Sequence, residues 1–77
     1  MKSETRDNVT LRPVAGEWEA SASTCVCRHK SRRTALMELS EKLRRHAHVV
    51  GALRMRDGER IYKLVEAAQA WASQEAP

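Results

Sequence analysis

At 77 residues, with three aromatics and no Phe, the chain has the size of one small domain, one that buries about 60% of the surface its unfolded form exposes. That size leaves no room for a deep catalytic cleft, and the lack of any long apolar run argues against a transmembrane helix or a signal peptide. The expected setting is a reducing cytoplasm, where Cys25 and Cys27 stay as free thiols because an i, i+2 pair on a strand bridges poorly. The formal net charge of +4 is unevenly placed: residues 28 to 63 hold 11 Lys and Arg against four carboxylates, while the segments before and after are net negative. A basic centre favours polyanions or acidic surfaces as partners.

Residues 1 to 8 are polar and aperiodic and are expected to be a flexible N-terminus, leaving 9 to 75 as a single domain. Val9 to Val14 reads as a short strand that Pro13 confines to an edge or ends. Ala15-Gly16 is a turn. Glu17 to Ala22 alternates, with Trp18, Ala20 and Ala22 on one face, so the first two strands form a hairpin. Over Ser23 to Lys30 two readings stand: one long bent strand from Glu17 to Arg28, or a turn followed by a third strand at Cys25. The missing Gly, Asn, Asp or Pro tilts the choice to the bent strand.

Ser31 to Ala47 is the clearest element. Leu36, Leu39, Leu43 and Ala47 line one face of a helix, Ser31 is its N-cap, and Arg44, Arg45 and His46 fall in its last turn. Residues 48 to 55 are ambiguous. Val49, Gly51, Leu53 and Met55 alternate as in a strand, and a Val-Val-Gly run is poor in a helix interior, which favours the strand. Leu36, Leu39, Leu43, His46, Val50 and Leu53 nevertheless keep heptad spacing, so the helix alternatively continues to about Arg54 as half of a helical hairpin. Asp57 then serves as an N-cap for a second helix, with Ile61, Leu64, Val65, Ala68 and Trp71 as its apolar stripe to about Ser73.

The expected fold is α+β: an N-terminal β-hairpin, a helix, a third strand or helix extension, and a C-terminal helix, with both helices on one face of the sheet. The core comprises Val9, Leu11, Trp18, Ala20, Leu36, Leu39, Leu43, Val50, Leu53, Ile61, Leu64, Val65, Ala68 and Trp71. It is thin enough that a partner, or a second copy in a homodimer, would supplement it.

The sharpest local feature is Arg28-His29-Lys30-Ser31-Arg32-Arg33. Four cations crowd the positive end of a helix dipole with no acidic neighbour in sequence. Arg28, Lys30, Arg32 and Arg33 therefore make a site for phosphates or for Asp and Glu of a protein, the bland alternative being a solvated basic turn. Further along, Glu38 with Lys42 and Glu41 with Arg45 are favourable i, i+4 pairs that neutralise the helix middle. Arg54, Arg56 and Arg60, with Lys63, surround the Asp57-Gly58 turn as a second patch, diluted by Asp57 and Glu59. Cys25, Cys27, His29, His46 and His48 invite a metal, but C-x-C-x-H with H-x-H is not a usual zinc spacing, so no metal is expected. No Gly-rich phosphate loop and no nucleophile with a base and orienting group is present, so neither catalysis nor a cofactor is expected. Trp18 and Trp71 sit on apolar stripes and belong to the core.

Trp18-Glu19-Ala20-Ser21-Ala22, a second extended run and Ser31-Arg32-Arg33-Thr34-Ala35 resemble the end of a double-stranded-RNA-binding domain, whose last helix opens with Ser, two Lys and an Ala one residue on. The resemblance implies that Arg32 and Arg33 grip phosphates across the major groove. That family's first helix is absent here, and Leu36 stands where another Lys is usual. The same residues are similar to the strand-strand-strand-helix core of HicB-type antitoxins, with basic residues where those have an acidic pair. Two function classes follow. One is a small protein-directed inhibitor or regulator, of the kind phages and mobile elements encode and anti-CRISPR proteins exemplify, docking a basic face on an acidic surface of a nucleic-acid-handling complex. The other is a nucleic-acid-binding module that grips DNA or RNA phosphates with the basic helix N-terminus. The first is favoured because much of the charge is self-paired.

Overall fold

The structure is a computed structural model that describes residues 2 to 76. Strands β1 (Glu4–Arg6), β2 (Val9–Val14), β3 (Glu17–Ala22) and β4 (Cys25–His29) form an antiparallel meander in sequence order, followed by helices α1 (Arg32–Leu53) and α2 (Met55–Gln74). The class is α+β, as the sequence indicates. α1 packs across β3 and β4, while α2 lies along α1 and touches β2.

Strand alternation explains which face the helices cover. Leu11, Ala20 and Cys27 are register partners across β2, β3 and β4. With Val9 and Ala22 they are buried beneath Leu36, Leu39, Leu43, Ala47, Ile61, Val65, Ala68 and Trp71. Ser31 caps α1 as its sequence suggests: its Oγ accepts the Thr34 backbone N–H at 3.3 Å. Trp18, Val50 and Leu64 pack at the core margin rather than inside it.

Four expectations are corrected. Cys25–His29 is a separate strand, not the end of a bent one, because Ser23 adopts a left-handed φ of +54° and turns the chain without Gly or Asn. The polar N-terminal stretch includes β1, which pairs with β2 through a two-residue Asp7-Asn8 turn. Both turn residues have positive φ, the backbone twist that suits a tight hairpin. Met1, also in that stretch, lies outside the described residues. Residues 48 to 53 are helix rather than strand, so Arg44, Arg45 and His46 sit in the middle of α1, not its last turn. Asp57 and Gly58 lie inside the first turn of α2, and the whole connection between the helices is Arg54. Arg54 has extended φ and ψ of −143° and 104°. Its N–H donates to the Val50 carbonyl at 2.7 Å, and its own carbonyl accepts from Gly58 N–H at 3.1 Å.

The helical outcome at Val49-Val50-Gly51 has a tertiary cause. A Cβ on Gly58 would fall 2.6 Å from the Gly51 Cα, 3.1 Å from the Gly51 nitrogen and 3.2 Å from the Ala47 carbonyl oxygen. The two helix backbones touch there, and only glycine fits. The packing gained outweighs a glycine's helix penalty of about 1 kcal/mol. With Gly51 turned toward α2, Leu53 two residues later points away, and it is 83% exposed rather than in the core.

The contact is asymmetric, and that makes it testable. A Cβ on Gly51 would meet the Gly58 Cα at 3.7 Å, an ordinary contact. Gly58→Ala is expected to lower unfolding stability by about 1–3 kcal/mol, whereas Gly51→Ala is expected to leave it unchanged or raise it by up to ~1 kcal/mol. Urea denaturation midpoints of the two variants decide; equal losses would show that the backbones do not approach as described.

Candidate functional site

The first basic cluster is dispersed by the fold. Arg28 lies on the outer face of the sheet, opposite Glu19 in the β3–β4 register, and Arg12 flanks Glu19 from β2. Arg28 Nε donates to Glu19 Oε2 at 2.9 Å, and Arg12 approaches Oε1 with Nε at 3.0 Å and Nη2 at 2.9 Å. Glu19 is thereby covered to 6% exposure on a face otherwise open to solvent. Hydrogen bonding to Arg28, then Arg12, holds its carboxyl below the ordinary carboxylate value despite the opposing effect of burial.

Arg32 is engaged more fully. From the first turn of α1 its Nη2 meets Glu4 of β1 at 2.5 Å, its Nε donates to Glu75 just past α2, and its guanidinium lies over the Trp18 ring at 4.6 Å. Glu75 and then Glu4 hold its proton more firmly than in a free arginine. A parallel tie joins the same elements: Arg6 donates to Gln74 Oε1 at 2.8 Å and lies over Trp71 at 4.8 Å. The cluster does not lack acidic partners. They come from Glu19 across the sheet and from Glu4 and Glu75 at the far ends of the chain. His29 Nδ1 accepts the Ser31 N–H, so that imidazole serves the turn. Lys30 and Arg33 alone of the four cations are exposed without an ion pair among the described residues.

The pairs expected along α1 are not formed. Lys42 instead donates to the Val26 carbonyl at 3.0 Å, capping the free edge of β4. Neither Glu38–Lys42 nor Glu41–Arg45 is among the ion pairs of the described residues.

The second patch is also split. Arg60 and Lys63 face a broad groove of about 780 Å³ with Asp7, Asn8, Ser23 and Glu66. Arg54 and Arg56 stay at the tip of the helical hairpin, exposed. The tip also carries what sequence reasoning missed. Val49 is 62% exposed, Leu53 83%, Met55 74% and Tyr62 44%. Val49 and Tyr62 line a groove of about 500 Å³ whose other walls are Arg44, Arg45 and His48. The signal was present in the heptad alternative: once α1 continues and Gly51 meets α2, Val49 and Leu53 fall on the outer side, one turn apart.

Two expectations follow for the ion pairs. Arg32→Ala removes contacts to two carboxylates and a ring and is expected to cost about 2 kcal/mol, whereas Arg33→Ala leaves the melting temperature within error. The depressed Glu19 carboxyl stabilises the fold above the ordinary carboxylate value of 4.5, and this stabilisation is lost as pH falls through its lower folded value. The urea midpoint gap between the native protein and Glu19→Gln is therefore expected to be widest near neutral pH and to close in acid; a gap that widens in acid contradicts the assignment. Comparison with protein-family models, curated proteins and solved structures finds no match to this chain.

Proposed function

We propose that this is a small non-enzymatic binding protein, of inhibitor or adaptor type, that docks the basic tip of its helical hairpin on an acidic surface of a partner protein. The observation that carries this reading is the mixture along the outer side of the hairpin: Val49 exposed beside Arg44 and Arg45, and Leu53 and Met55 exposed at the tip beside Arg54 and Arg56. Phosphates need cations but give nothing to aliphatic side chains, which gain only when another apolar surface covers them. An acidic protein surface with apolar side chains satisfies both. Base stacking finds little support, since Trp71 is buried, Trp18 lies beneath Arg32, and Tyr62 is left as the one exposed aromatic.

The same geometry argues for binding over chemistry. Burial pushes the Cys27 thiol up, which makes it a poor nucleophile. Ser31 Oγ is taken by the helix cap and His29 Nδ1 by the turn. No helix of the described residues is long and apolar enough to cross a membrane.

Salt titration against short duplex DNA and RNA tests the class of partner. Negligible duplex binding at ~0.15 M salt is expected, together with a discrete stoichiometric protein complex that the charge reversals Arg44→Glu and Arg45→Glu abolish. Tight, steeply salt-dependent duplex binding, lost when Arg54, Arg56 and Arg60 become Ala, would replace this reading with phosphate gripping.

A further inference from the structure

The groove on the outer side of the hairpin is more selective than a basic patch. It lies between α1 and α2, with Val49 and Tyr62 as its apolar lining and Arg44, Arg45 and His48 at its rim. Arg44 and Arg45 enter no ion pair among the described residues. From this we infer that the groove takes one apolar anchor side chain, a Leu or a Phe, from an acidic segment of the partner, with the carboxylates on either side of the anchor meeting Arg44 and Arg45. This rests on the protein-docking reading and names the chemistry that reading leaves open.

Three observations bear on the occupant. A groove of about 500 Å³ has room for an anchor side chain together with part of the segment that carries it. The apolar part of its lining is one branched aliphatic and one tyrosine, whose half-exposed ring offers apolar area to an anchor. Its own polar lining is basic, Arg44, Arg45 and His48 with no carboxylate, and the surrounding residues 41 to 66 hold seven Lys and Arg against Glu41, Asp57, Glu59 and Glu66. A second copy of this chain would bring the same positive field to the same place, so self-association across this groove is opposed by like charge. An acidic segment is drawn to it. The aromatic with flanking arginines is also the composition that dominates binding energy at protein interfaces.

Calorimetric titration with two synthetic peptides tests this, one a run of Asp and Glu around a central Leu, the other identical but for Ser in place of Leu. The Leu peptide is expected to bind about tenfold tighter, the equivalent of one buried side chain. That advantage is expected to vanish in Tyr62→Ala and in Val49→Ser, both at exposed positions, with an unchanged circular dichroism spectrum required of each variant. In Arg44→Ala with Arg45→Ala, binding of both peptides is expected to weaken together. Equal binding of the two peptides would overturn the anchor groove while leaving the acidic partner in place. Binding of neither would overturn both. Sedimentation of the free protein completes the test: a dimer that Tyr62→Ala dissociates would assign the groove to a second copy and overturn the inference.

Discussion

At Gly58 the backbone of α2 comes so close to that of α1 that no side chain fits between them, and the rest of the molecule follows from that contact. Because the helices touch there, one residue suffices to reverse the chain, and α1 keeps its helical course through a Val-Val-Gly run whose local preference is for a strand. Because α1 continues, its final turns project past the core. Val49 and Leu53 are exposed there, and Val49 forms one side of the groove beside Tyr62.

The opposite pole is organised by charge instead of close packing. Arg32 draws β1, the start of α1 and the end of α2 together through two carboxylates and an indole face, and Arg6 adds a second tie from β1 to α2 through Gln74 and the Trp71 ring. A short, polar three-residue strand such as β1 has little apolar surface of its own, so these ties, with its pairing to β2, hold it in place. Arg28 and Arg32, two of the four cations that stand out most in sequence, thus stabilise the fold, while Lys30 and Arg33 beside them and the cations farther along the chain enter no ion pair among the described residues. A local excess of charge indicates function only when partners distant in sequence have been accounted for.

How much was legible in the sequence depended on the range of the deciding interaction. The cap at Ser31, the Leu36–Leu39–Leu43 stripe, the alternation of β3 and the second helix are local patterns, and they are where the residues themselves put them. The course of residues 48 to 53 was not decidable locally, since it turns on a contact between glycines seven residues apart across a reversal that had itself to be known first. The turn at Ser23 was hidden for a different reason: serine carries no strong signature for positive φ, and only the strand on either side forces it. In the basic segment at 28 to 33, Glu19 opposite Arg28 follows from the register of two hairpins and was within reach. Glu75 on Arg32, separated by 43 residues, was not.

The meeting of Glu4 and Glu75 on one arginine fixes where the chain enters and leaves. Glu4 and Glu75 both lie at the start of α1, and the 22 residues of that helix carry the chain about 33 Å away before it turns at Arg54. The ion-paired pole and the exposed aliphatic tip are thus held apart by the length of one helix, so a change at Leu53 or Met55 leaves the Arg32 ties untouched.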